Sequence, residues 1–214
     1  MKPGASPRKQ QTRTAITRAR LLHAAGVLAN GKRLDDLTAE AIAKEAGVAK
    51  GTLFAHFGDM DGLFSHLLLG QLQQFRMAAE EETLPSPANL ADPVGALTDQ
   101  VMALLTIITE SRTMLRLFME NIGVTKGHCA PEFAEQLDAL GIKIAAFLKA
   151  WQASQTVIPQ LRQDRSPEEM LEGVYAFLIH GAVLYSSYQI DDRDLIRARL
   201  YRHIEALLIP VAPK

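Results

Sequence analysis

From Phe133 to Trp151 the apolar residues Phe133, Leu137, Leu140, Ile144, Phe147, Leu148 and Trp151 recur every three or four positions for five turns. That period builds a helix with one buried stripe and cannot be satisfied by a strand, whose side chains alternate every second residue. The same spacing returns along most of the chain, and the Val/Ile/Thr-rich alternating runs that make strands are missing. The chain is therefore expected to be all-α, with about nine helices. Stripes mark helices over about 14–30, 38–46, 49–57, 60–83, 94–108, 114–122, 133–151, 167–189 and 191–207. Pro167, followed by Glu168 and Glu169, suits a first helical turn. Residues 85–87, Pro-Ser-Pro, end the fourth helix, and a loop is expected over 156–166.

Charge is distributed unevenly. The whole chain carries 23 Lys/Arg and 24 Asp/Glu, yet residues 1–57 hold ten of the bases and only four of the acids. A polyanion-facing front is implied. Residues 1–20 carry six basic residues and no acid, and Pro3, Gly4 and Pro7 suggest a flexible basic arm over 1–13. No apolar signal segment follows the basic residues, and the longest apolar run, 174–188, is too short and too interrupted to span a bilayer. A cytoplasmic protein is expected. The single cysteine, Cys129, fits a reducing compartment; with His128 beside it, it supplies at most part of a metal site, and no metal or cofactor is expected.

The stretch TAEAIAKEAGVAKGTLFAHF, residues 38–57, concentrates several local signals. Thr38 suits an N-cap; Gly47 suits the left-handed turn after a short helix; a second short helix follows from Ala49. Ala43 is small enough for the two helices to approach, and Ile42, Val48 and Leu53 are spaced to pin them against the first helix. These are the requirements of a helix-turn-helix. Lys50, Thr52 and His56 then face outward as donors to phosphate, while Ala49, Gly51 and Ala55 permit close approach to a groove.

With LLHAAGVL before it and LFSHLL after it, this stretch resembles the DNA-binding domain of the TetR family of bacterial transcriptional regulators, over residues 18–69. The resemblance implies a DNA-binding unit over 14–57 and a ligand-binding and dimerisation unit over 58–214. It implies DNA contact by Thr38, Ala49, Lys50, Gly51, Thr52, Phe54 and His56. Phe54 stands where the family usually has Tyr, Met60 where Lys is common, and Ala29 where a core Phe is usual. The expected partners are duplex operator DNA, a second copy of the chain and a small-molecule effector.

In the second unit Met102, Met114, Phe118, Phe147, Trp151, Tyr175 and His180 are candidates for lining an effector cavity, since Trp, Tyr and Met combine apolar surface with polar or polarizable groups. Each is also a plausible core residue. Val174, Phe177, Leu178, Leu184, Tyr185 and Tyr188 make the penultimate helix apolar most of the way round, and Gly181 and Ala182 permit close approach, so the last two long helices are the expected dimer interface. An enzyme is not expected: Asp191, Asp192 and Asp194 sit at a helix start, where capping accounts for them, and no phosphate loop, dinucleotide fingerprint, nucleophile elbow or inward Glu-x-x-His pair occurs. The function implied is a ligand-responsive regulator, most naturally a repressor released from an inverted-repeat operator by an apolar or aromatic molecule. The alternatives are a ligand-independent or architectural DNA-binding protein and, further off, a helical-bundle enzyme.

Overall fold

The computed structural model describes residues 7–29, 34–81, 86–122, 128–187, 190 and 192–210. Among them every regular element is helical: α1 (Pro7–Ala29), α2 (Ala39–Glu45), α3 (Lys50–Phe57), α4 (Met60–Glu81), α5 (Pro87–Ala91), α6 (Pro93–Ile108), α7 (Arg112–Ile122), α8 (Ala130–Ala153), α9 (Pro167–Ser186) and α10 (Arg193–Leu208). A 3-10 turn, Leu34–Asp36, precedes α2 and buries Leu34.

Two sequence expectations are corrected. The described helices number ten, because the Pro-Ser-Pro segment does not simply end a helix: Ser86 caps α5 by accepting from Asn89 N–H at 3.1 Å, and Pro87 occupies its first turn, where a missing N–H costs nothing. The supposed arm is shorter, because Pro7 likewise opens α1 and residues 7–13 are its first two turns; residues 1–6 lie outside the described ones. Sequence alone misjudged Pro7 as a breaker when its position makes it a helix start.

Local signals elsewhere resolve as expected. Thr38 Oγ1 accepts from Ala41 N–H at 3.2 Å. Gly47, at φ 64°, lets its own N–H reach Lys44 C=O at 3.1 Å and lets Val48 N–H reach Ala43 C=O at 2.9 Å, the paired bonds of a Schellman ending. Ser166 and Glu169 form a reciprocal capping box at the start of α9.

Leu21, Ala25, Ile42 and Leu53 are fully buried where α1, α2 and α3 meet, and they belong to one continuous core that runs through α4 to Leu208 in α10. Helix α4 packs on α1 and α3 at one end and on α6, α7 and α8 along the rest. It joins the α1–α3 helices to the rest of the bundle. At its start, Asn121 of α7 donates to Ser65 Oγ at 3.3 Å and accepts from Cys129 N–H at 2.8 Å, tying α4, α7 and the entry to α8 together in a buried polar knot.

Candidate functional site

Helix α3 presents the candidate DNA-facing residues. Ala49, its N-cap, and Lys50, Gly51 and Ala55 are exposed, while Thr52, Phe54 and His56 are half-buried; Thr38, at the start of α2, is exposed beside them. Because Leu53 and Phe57 bury the opposite face, the outer face is fixed by packing and not by its own side chains. Ala49 offers no side-chain cap; Thr52 N–H bonds Ala49 C=O at 2.9 Å, and the dipole at this helix start favours an anion.

Lys50 is not a bare cation. Its Nζ pairs with the Glu40 carboxylate of α2 and lies 5.7 Å from the Phe54 ring centroid. The lysine accordingly lowers the pKa of the Glu40 carboxyl. Glu40 was missed from sequence because the contact joins residues ten apart across a turn. Two arginines assigned to the basic front are also structural: Arg20 donates to Ala46 C=O at 2.5 Å, closing the end of α2, and Arg18 donates to His56 C=O at 3.3 Å while its guanidinium lies 4.8 Å from the Phe57 ring centroid.

Arg18 also bonds the His66 ring of α4 through Nε2. Arginine only donates, so Nε2 must accept, which leaves Nδ1 to carry the proton and donate to Gly62 C=O at 2.8 Å. His66 is thereby held neutral, and burial, opposed by the Gly62 bond and helped by Arg18, lowers its pKa. Cys129 Sγ lies 3.3 Å from this ring; burial pushes its thiol up to about 11, so it is not poised as a nucleophile.

In the larger bundle, α4, α6, α8 and α9 enclose an apolar cavity walled by Phe75, Leu104, Leu140, Val174 and Leu178. Counting its open mouth, the space is about 470 Å³, but only a small part of it is wide enough to admit a water molecule. Gln100, Lys143 and Tyr175 supply its polar edge. Tyr175 donates to Leu137 C=O at 3.2 Å, and burial pushes its hydroxyl up to about 12.

Of the seven effector candidates, the structure brings only Tyr175 to this cavity. Met114, Phe118, Phe147 and Trp151 are buried core residues, and Met102 is buried on α6 without lining it. Trp151 is fully buried, and its indole N–H donates to Pro159 C=O at 2.9 Å, anchoring the loop that leads to α9. His180 is exposed on α9, beside a separate groove shared with Arg199 and His203 of α10.

The candidate dimer surface also shifts. Val174, Leu178, Gly181 and Ala182 are buried inside the chain, and a Cβ on Gly181 would come within 3.0 Å of Leu105 of α6; the close approach that its missing side chain permits is internal. Phe177, Leu184 and Tyr185 are half-buried, and Tyr188 lies outside the described residues. What α9 leaves open is the stripe Ala176, His180 and Val183, matched on α10 by Leu195, Arg199, Arg202 and Ala206 at helical spacing.

No described helix is long and apolar enough to cross a membrane. Residues 21–67 match the family model of the bacterial regulatory proteins of the tetR family. No curated protein matches. Among solved structures, a transcriptional regulator designate from Saccharomonospora viridis, in complex with choline, superposes with a TM-score of 0.66 at 17% identity, over 92% of this chain and 100% of that one. The regulator FadR from Bacillus subtilis, in complex with stearoyl-CoA, gives 0.59 at 14% identity, covering 89% and 97%. NalD, the secondary repressor of the MexAB-OprM multidrug efflux pump in Pseudomonas aeruginosa, gives 0.52 at 20% identity, covering 94% and 100%. These likenesses establish a shared fold. Residues 21–67 are thus similar to the tetR family of bacterial regulatory proteins, and the chain shares the fold of the regulators that superpose on it.

Proposed function

We propose that the chain is a homodimeric transcriptional repressor that binds duplex operator DNA through α3 and is released by a small molecule entering between α4, α6, α8 and α9. The observation that carries this reading is the α2–turn–α3 unit. Its inner face is locked by Ile42, Leu53 and Phe57, and its outer face offers Lys50, Thr52 and His56 around the small residues Ala49 and Gly51. Thr38 and Phe54 flank that surface as further candidate contacts. Residues 14–57 serve as the DNA-reading unit and 58–214 as the effector and dimerisation unit.

A twofold axis beside the open stripes of α9 and α10 would present two copies of α3 to half-sites about 34–36 Å apart, or a greater distance. An effector shifts the equilibrium only through different affinities for two arrangements. The cavity is almost closed here, so an occupant must part α4 from α8 and α9, and α4 carries that displacement to the heads. Neighbours of the same fold bound to choline and to stearoyl-CoA support the presence of an effector site without specifying its occupant.

The near-closure of the cavity also favours a second reading, a ligand-independent DNA-binding protein. Selection of bound sequences from random duplex DNA tests the first part: an inverted repeat is expected, and no enrichment over the starting pool contradicts it. Release of the selected duplex by a small molecule separates the two readings.

A further inference from the structure

We infer that the effector is an amphipathic organic anion, its apolar body lodged among Phe75, Leu104, Leu140 and Val174 and its carboxylate held by Lys143 Nζ. This rests on the reading of the cavity as the effector site. Lys143, on α8, is the cavity's charged wall residue; among the described residues no aspartate or glutamate lines it. The lysine is half-buried, and its recorded partner is a neutral one, Ala79 C=O at 2.6 Å. Ala79 lies in the last turn of α4, where carbonyls have no partner within the helix, so the ammonium caps that end and holds α4 against α8.

A carboxylate at the mouth would offer Lys143 a charge-assisted bond, stronger than the one to a carbonyl. Taking it draws the lysine from Ala79 and frees the end of α4 from α8, the displacement that entry into a nearly closed cavity requires. A cationic headgroup meets repulsion from Lys143, and a neutral one gains no charge-assisted bond. Lys143 thus both reads the charge of the occupant and latches the helix that the occupant must move.

The test uses the full-length protein on its selected operator with three probes of one chain length: decanoate, decan-1-ol and decyltrimethylammonium, each below its micellar concentration. Binding is followed by calorimetry and DNA release by fluorescence anisotropy. Decanoate is expected to bind and release DNA at concentrations at least about tenfold below those of the other two. In Lys143→Met, which keeps the apolar stem, decanoate and decanol should become equivalent. If decanol binds and releases DNA as well as decanoate does in the wild type, the charge reading is overturned while the effector cavity stands. If none of the three binds or releases DNA, both fall. An unchanged preference for decanoate in Lys143→Met also overturns the assignment; the three-probe comparison on the wild-type protein decides the matter should that variant not fold.

Discussion

The Lys50 ammonium is clasped by the Glu40 carboxylate, so the cation best placed to meet DNA phosphate is already engaged within the free protein. Binding must exchange one anion for another. Removing the competing charge with Glu40→Gln should strengthen DNA binding a few-fold at low salt, the scale of an exposed ion pair, with a shrinking difference as salt rises. Fluorescence anisotropy on the selected operator measures it. Weaker binding would show that Glu40 instead holds Lys50 in its DNA-bound position.

Trp151 should prove structural. Trp151→Ala removes a fully buried indole and leaves Pro159 C=O without its donor, so unfolding free energy should fall by about 3–5 kcal/mol. Trp151→Phe retains most of the volume and isolates the loss of the bond, about 1–3 kcal/mol. Urea denaturation of the three proteins gives both numbers. A Trp151→Ala protein of undiminished stability would return the residue to the list of effector contacts.

His66 should make the junction between the units sensitive to acid. Its pKa is lowered in the folded state by burial first, opposed by the bond to Gly62 C=O and by Glu132 of α8, and helped by Arg18 of α1 and His128. The neutral ring favours the fold, so its stabilising contribution is complete above the ordinary histidine value of 6.5 and is lost as pH falls below it through the depressed folded value. The urea midpoint should therefore drop between pH 7.5 and pH 5.5, by less in His66→Gln. Equal drops in both proteins would place the titrating group elsewhere.

The dimer surface should lie on the outer stripes of α9 and α10. Val183 and Leu195 are 48% and 41% exposed, large apolar side chains that a partner would cover. Val183→Glu with Leu195→Glu should give a monomer by light scattering with much weaker operator binding. A double variant that stays dimeric moves the interface off these helices.

The parts legible in sequence were those written in local chemistry. Thr38, Gly47 and Pro167 act on backbone groups within four residues, and the stripe from Phe133 to Trp151 needs only helical period to declare its buried face. Helix α9 could not be read in this way, because a helix apolar nearly all round gives no phase. The positions of α6, α8 and α10 decide that Val174 and Leu178 face inward and Val183 outward. Glu40 with Lys50, Arg18 with His66, and Lys143 with Ala79 are contacts across turns or between helices, invisible to any periodicity. The effector candidates failed to gather for a related reason: aromatic and sulfur-bearing residues serve core and cavity equally well, and tertiary packing put most of them in the core.

The central claim, that α3 meets duplex DNA through phosphate contacts, is tested most directly by the salt dependence of operator binding for the wild type and Lys50→Ala. The logarithm of the wild-type association constant should fall linearly and steeply with the logarithm of salt concentration. Lys50→Ala should bind more weakly across all duplex sequences, with a slope shallower by about one. Association that is independent of salt, or a Lys50→Ala slope and affinity identical to the wild type, would contradict it.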